Sequence, residues 1–348
     1  MDGMKNNWHL SDSLVSDLKE ILAKRQASSI WVLCDRNTRR FCLPLLKDAL
    51  PSNTNFLFLP AGESAKTLES CMKIWDALSR KAADRNALVI CLGGGMVCDL
   101  GAFAASVYKR GIDYLLIPTS LLCMADACLG GKTGIDYLGF KNQLGTFSRP
   151  LEILIDTNFL ETLPDEELLS GMAEIMKHAL CGNQEIWQQL RKSEVHRQNW
   201  PILIEAGLRF KQGIVERDPL EKAERKILNA GHTIGHALES FLLASGNPRP
   251  HGYCVAAGLV AEGRIAVDFG LLDESELLQI EEFVYAEFGL LPFCKKDIPR
   301  ILKYCQQDKK NRDHKILASF YGPIGHCTVD HQISEEQIRR ALQYYLGA

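Results

Sequence analysis

Two histidines four residues apart, His232 and His236 in "ILNAGHTIGHALES" (227 to 240), share one face of a run with helical period. They could share a metal, divide two tasks, or pack. Zinc takes nitrogen and oxygen ligands and keeps an open position when it is catalytic. Glu174 in "SGMAEIMKHAL" and His251 in "RPHGYCVAAG" therefore join the pool of donors. "HTIGH" lacks the glutamate of HExxH, which deprives a zinc-protease reading of its general base. Spacing leaves open which histidines bind metal. Glu174 and Lys177 also have the spacing of an ordinary intrahelical ion pair, and His251 sits where a capping residue would.

A second chemistry is anion binding. In "VICLGGGMVCDLGAFAAS" an apolar run enters Gly93, Gly94 and Gly95 and then a helical pattern. Glycines admit a diphosphate close to the backbone, and the following helix offers unpaired N–H groups. The spacing is not GxGxxG, so a tight turn without ligand explains the triplet equally well. Asp35 in "VLCDRNT" suits a ribose hydroxyl or a helix cap. Glu63 and Lys66 in "AGESAKT" stand at another strand-to-helix junction. Lys132 and Lys141 lie in "DACLGGKTGIDYLGFKNQLG" (126 to 145), read as a glycine-rich loop able to meet phosphate or carboxylate.

The elements that position these residues follow from periodicity. "SIWVLCD" (29 to 35), "NFLFLP" (55 to 60), "ALVICLGGG" (87 to 95), "YLLIPTS" (114 to 120) and "LEILID" (151 to 156) read as buried strands, with helical patterns over 66 to 83 and 99 to 110 between them. That alternation predicts an α/β domain with a parallel sheet over residues 1–160. From about residue 165 the pattern is mostly helical, predicting a mainly α domain over 161–348 and a cleft at the boundary suited to a small molecule. On the 227 to 240 helix, Arg225 and Asn229 are expected to continue the His236 face toward the N-terminus.

The chain has 348 residues, 46% hydrophobic and 24% charged, enough for two globular domains. A net charge of -3 without any block of like charges makes nucleic acid a poor partner. Its 12 cysteines form no CxxC pair, the usage of a reducing compartment. The segment "MDGMKNNWHLSDSL" has neither the charged head nor the apolar core of a secretion signal. "ALVICLGGGMVCDLGAFAASV" carries three glycines and Asp99, which fits strand, loop and helix and not a membrane span. A cytoplasmic location is expected.

In order along residues 29 to 325, "PAGESAKTLES", "CLGGGMVCDLGAFAASVYKRGIDYLLIPTSLLCMADACLGGKTGID", "FKNQLGTF", "IDTNFLETLPDEELLSGMAEIMKHAL", "LNAGHTIGHALES", "HGYCVAAG" and "DKKN" together resemble the 3-dehydroquinate synthase family of sugar-phosphate cyclases. The resemblance implies a homodimer of α/β and α-helical domains, using NAD and a divalent metal, zinc or alternatively cobalt. The implied substrate is the small anionic sugar phosphate 3-deoxy-D-arabino-heptulosonate 7-phosphate. The implied course is transient oxidation by NAD, phosphate elimination, reduction and intramolecular aldol closure. NAD would lie along Asp35, Glu63, Lys66, Gly93, Gly94, Gly95, Asp99, Thr119, Ser120, Lys132, Lys141, Phe159 and Thr162. Glu174, His232 and His251 would hold the metal. His236, Glu221, Lys132, Asp126 and Lys177 would be catalytic. Arg110, Lys132, Lys141, Asn142, Lys211, Arg225, Asn229 and a lysine of "DKK", Lys309 in preference to Lys310, would contact substrate.

The chain departs from the family pattern at "IDYLG" and at Phe140, where most relatives have a glycine; the interval from Lys132 to Lys141 is kept. Ser120 stands for the second of two threonines and retains the hydroxyl. A metal-dependent polyol dehydrogenase is the alternative of another class, but it has no use for Lys132, Lys141, Lys211 and Arg225 around a phosphate. Cyclases making inosose or valiolone products differ in the carboxylate pocket, where Lys211 and Arg225 favour the dehydroquinate reaction. A non-catalytic nucleotide-binding protein would be expected to have lost a metal ligand or base, and none is missing.

Overall fold

The computed structural model describes residues 8–138, 140–306 and 315–347. The chain divides into two compact units, residues 1–164 and 165–348.

In the first unit the elements are β1 (Trp8–Leu10), α1 (Leu14–Arg25), β2 (Ile30–Asp35), α2 (Arg36–Phe41), α3 (Leu43–Leu46), β3 (Asn55–Leu59), α4 (Leu68–Arg80), β4 (Leu88–Gly93), α5 (Gly95–Val107), β5 (Asp113–Pro118), β6 (Lys132–Tyr137), β7 (Phe140–Phe147) and β8 (Glu152–Ile155). Six strands form one parallel sheet in the order β1-β8-β5-β4-β2-β3. The five runs read as strands form β2, β3, β4, β5 and β8. Strand β4 is buried at every residue, as expected of a parallel sheet covered on both faces. Helix α4 buries Ser70, Cys71, Ile74 and Leu78 on one stripe. Helix α5 presses on the sheet so closely that a Cβ at Gly101 would stand 2.4 Å from Cys91 Sγ.

The sheet order has a functional consequence. Strand β2 lies between β3 and β4, so the chain winds outward to β3 and then crosses back over β2 to β4. The carboxyl ends of β2 and β4 flank this reversal, which is where open α/β sheets bind ligands. Asp35 ends β2, and the glycine triplet ends β4.

The stretch 126 to 145 is not the loop expected from its glycines. Strands β6 and β7 form an antiparallel hairpin with Lys132 opposite Phe147. Its weak periodicity reflects a β7 that is exposed at nearly every position and so has no apolar face to alternate.

The second unit holds α6 (Asp165–Gly182), α7 (Gln184–Leu190), α8 (Trp200–Arg217), α9 (His232–Ala244), α10 (His251–Asp268), α11 (Glu274–Phe288), α12 (Ile298–Gln306), an antiparallel pair β9 (Ile316–Tyr321) and β10 (Cys327–Ile333), and α13 (Glu335–Tyr345). Helix α10 is buried along most of its length and forms the centre of the unit. Its glycines let neighbours in: a Cβ at Gly258 would lie 2.0 Å from the Gly231 carbonyl, and one at Gly252 would lie 2.1 Å from that of Ser170. Among the described residues no helix is long and apolar enough to cross a membrane.

Candidate active site

The carboxyl end of the first sheet has the features of an anion site. Gly94 is the N-cap of α5 and supplies no side-chain cap, leaving first-turn N–H groups for a ligand. A Cβ at Gly94 would approach Ser120 Oγ to 3.1 Å. The Thr119 N–H donates to the Gly93 carbonyl (3.0 Å), which fixes the two loops against each other. Asp35 caps α2 through Oδ1, which accepts from the backbone N–H groups of Asn37 and Thr38 at 2.8 Å each. Its Oδ2 has no partner among the described residues, so the cap and ribose readings are compatible. Phe159 and Thr162 belong to a 3-10 turn (Thr157–Thr162) and line an open cleft of about 470 Å³ with Leu14, Phe41 and Asp156. This backbone cradle, with a buried acceptor at Asp35, fits a dinucleotide.

Lys66 is almost fully buried, donating from Nζ to Asp99 Oδ2 and to Asn142 Oδ1, each at 2.6 Å, with Glu63 Oε1 3.7 Å away. Burial opposes the charge, but the Asp99 and Glu63 carboxylates outweigh it and raise the lysine pKa. Asn142, assigned to substrate by resemblance, thus meets Lys66 directly. Asp126 lies on a π-helical turn (Cys123–Ala127), a geometry frequent at functional sites. Arg110 is not brought to this end: it follows α5, whose 13 residues span about 20 Å, and is exposed at the start of β5.

In the second unit three helices converge their donors. His232 is the first residue of α9, His251 the first of α10, and Glu174 lies mid-way along α6. His232 Nδ1 donates to the Ala230 carbonyl (3.0 Å) and His251 Nδ1 to Glu239 Oε2 (3.1 Å), since both partners can only accept. In the neutral imidazoles each Nε2 then carries the lone pair, and both Nε2 atoms face Glu174 Oε1, at 3.5 Å and 3.3 Å. Three acceptors facing one another are satisfied only by a cation or a proton. Burial pushes the His232 imidazole down to about 3. His251 is more open, its side chain 29% exposed; burial still opposes its charge, but hydrogen bonds to the Glu174 and Glu239 carboxylates carry it up to about 10. Burial also opposes the Glu174 charge, which Lys177 and His232 nevertheless hold well below the carboxylate range. Lys177 Nζ takes the other oxygen, Oε2, at 2.5 Å, so the intrahelical pair and the ligand role coexist. The donor set fits a divalent metal of the zinc type.

His236 is half-buried one turn along α9, its ring centroid 5.1 Å from that of His232 and 5.7 Å from that of His251. Ligand atoms of all three histidines lie within 4.8 Å of one another.

The strip expected ahead of His236 is not one helix. Arg225 and Asn229 sit on a 3-10 turn (Glu224–Asn229), and Gly231 at φ 75 breaks the chain before α9 begins. What gathers these residues is Asp218, whose carboxylate accepts from the backbone N–H groups of Lys222 (2.9 Å), Ala223 (2.7 Å) and Arg225 (3.0 Å). Burial works against its charge, and those donors hold it below the usual carboxylate value. Arg225 Nη1 donates to the Pro219 carbonyl (2.7 Å), and Asn229 Nδ2 donates to Glu221 Oε1 (2.9 Å). Lys211 is buried on α8. Lys309 and Lys310 lie outside the described residues.

Sequence reasoning missed three carboxylates that organise the centre. Glu239 orients His251. Glu262, fully buried on α10, accepts from Gly231 N–H (2.7 Å) and Ile234 N–H (2.8 Å), replacing the side-chain cap that Gly231 cannot give α9. Asp218 could have been suspected from "DP", a turn signal after a long helical run.

The fold is shared with a sugar-phosphate cyclase. The solved 2-epi-5-epi-valiolone synthase of Streptomyces hygroscopicus, with NAD+ and Zn2+ bound, matches at a TM-score of 0.87 and 25% identity, covering 100% of this chain and 98% of that one. Models of the 3-dehydroquinate synthase N-terminal and C-terminal regions match residues 56–170 and 171–311. The 3-dehydroquinate synthases of Parabacteroides distasonis and Pyrococcus abyssi are 36% and 35% identical over 95% of this chain and 95% and 97% of their own lengths. The chain belongs to the 3-dehydroquinate synthase family and is an enzyme of that type.

Proposed function

We propose that the chain converts 3-deoxy-D-arabino-heptulosonate 7-phosphate to 3-dehydroquinate and phosphate. The observation that carries the reading is the convergence of His232 Nε2 and His251 Nε2 on Glu174 Oε1 in a chain of this family. The NAD+ and Zn2+ of the valiolone synthase support the same two cofactors here, with cobalt as an alternative ion. When bound, NAD supplies reversible hydride acceptance and the metal supplies Lewis acidity toward a ring oxygen.

The chain's own residues do the rest. Gly93, Gly94, Gly95 and the α5 N-terminus hold the diphosphate, while Asp35 Oδ2 accepts from a ribose hydroxyl. Glu63, Lys66, Asp99, Thr119, Ser120, Phe159 and Thr162 complete the nucleotide site. Glu174, His232 and His251 hold the metal. His236 takes or gives a proton at its imidazole nitrogen, and Lys177 keeps Glu174 ionised. Lys211 and Arg225 face the substrate carboxylate, and Asn229 holds Glu221 for proton transfer. Lys132, Lys141, Asn142 and Lys309 meet the remaining polar groups of the substrate, and Asp126 and Lys132 also move protons. Removing water from around these ion pairs strengthens each of them.

The test is phosphate release across a panel of sugar phosphates with NAD and zinc supplied. Release from the heptulosonate phosphate, without net accumulation of NADH and abolished by chelation, is expected. NADH accumulating with a polyol and no phosphate release would establish the dehydrogenase reading instead. We further propose a homodimer acting in the cytoplasm; elution at the mass of one chain would overturn the dimer.

A further inference from the structure

Lys66, Asp136 and Asn142 close a ring of hydrogen bonds within the first unit. The Asp136 N–H donates to the Lys66 carbonyl (2.9 Å), the Asn142 N–H donates to Asp136 Oδ1 (2.8 Å), and Lys66 Nζ donates to Asn142 Oδ1 (2.6 Å). The ring sits at an irregularity of the hairpin. Ile135 pairs with Leu144 and Tyr137 with Phe140, so the single residue Asp136 on β6 faces Lys141, Asn142 and Gln143 on β7. Bulges of this kind re-aim side chains.

Asn142 has φ 51, in the left-handed region that asparagine tolerates better than most residues. The Asp136 carboxylate receives the N–H that this conformation presents. Lys66, bonded also to Asp99 in the first turns of α5, ties the ring to the glycine-loop helix.

We infer that Asp136 is a positioning residue: it holds the bulge that aims Lys141 and Asn142, and it couples the order of that bulge to the nucleotide site through Lys66. The inference rests on the proposed function for the roles of Lys66, Lys141 and Asn142, and on the ring alone for that of Asp136. Because Lys66 serves both sides, nucleotide binding and bulge order must shift each other by the same factor.

The experiment uses the full chain and the variants Asp136→Ala and Asp136→Asn. Chymotrypsin cleavage in the hairpin, where Tyr137, Leu138 and Phe140 are exposed, reports bulge opening when reclosing outpaces cleavage. Without nucleotide, Asp136→Ala should be cut in the hairpin about fivefold faster than wild type, the loss of one hydrogen bond. Asp136→Asn keeps an acceptor oxygen and should stay within about twofold. NAD should protect the wild-type hairpin, and protect the alanine variant less. KM for the sugar phosphate should rise in Asp136→Ala by more than kcat falls.

Equal hairpin cleavage in all three proteins would overturn the inference. Faster cleavage spread along the whole alanine variant would reduce Asp136 to a stabiliser of the unit and overturn it as well. NAD bound to wild type without hairpin protection would overturn the coupling. A wild-type chain that binds no NAD, or releases no phosphate, would defeat the cyclase reading, and the nucleotide-free cleavage ratio would still decide the role of Asp136.

Discussion

The two functional regions are built from different materials. The nucleotide end of the first unit is mostly backbone: three glycines, a helix start without a side-chain cap, and one buried carboxylate at the end of β2. The histidine centre of the second unit is mostly side chain, with donors from α6, α9 and α10 held by further carboxylates behind them. A site of backbone is damaged by adding volume. A site of side chains is damaged by removing donors.

The sharpest test of that contrast is deletion at the histidine centre. Glu174→Ala and His232→Ala should lose bound metal, measured by atomic emission, with phosphate release falling to background. His236→Ala should keep its metal and slow turnover by about 10²- to 10⁴-fold, the range of a lost general acid or base. Equal metal loss in His232→Ala and His236→Ala would erase the division of labour. Gly94→Val adds branched methyls where even a Cβ stands 3.1 Å from Ser120 Oγ. It should weaken NAD binding by about 10- to 100-fold, from an overpacking cost of about 1–3 kcal/mol, and leave metal content unchanged. Metal loss in that variant would break the comparison.

Smaller effects sharpen the second half. Glu239→Gln keeps the contact to His251 Nδ1 without the charge and should lower metal affinity about tenfold or more, with NAD titration unaltered. Asp218 is held below the usual carboxylate value, so its contribution to stability is complete above that value and is lost as pH falls through the lower folded-state value. Asp218→Asn should therefore lower Tm at pH 7 and lower it less near pH 3. An equal loss at both pH values would detach the 218–229 loop from the charge.

Much of the first unit was legible because a buried parallel strand is a continuous apolar run; all five runs read as buried strands are strands, but β3, at the sheet edge, is not buried and leaves Phe56 and Phe58 exposed. The glycine triplet was legible for the same reason, since it interrupts the most apolar of those runs. The hairpin at 132–147 was not: its second strand is exposed, and alternation vanishes when neither face is covered. In the second unit the helical period of "GHTIGHALES" held, but its extension back through Asn229 to Arg225 failed. Gly231 adopts a left-handed φ, and the segment before it follows the Asp218 carboxylate.

By itself the sequence determined the donor types, the facing of His232 and His236 along one helix, the strand that delivers the glycines, and the family. Only the tertiary structure decided that both Nε2 atoms turn toward Glu174, that Glu262 on another helix caps α9, and that Asp136 stands opposite the bulge carrying Lys141. Periodicity reports which residues share a face of one element. Convergence between elements depends on crossings made by residues far apart in the chain, such as Gly258 against Gly231, and no local spacing records them.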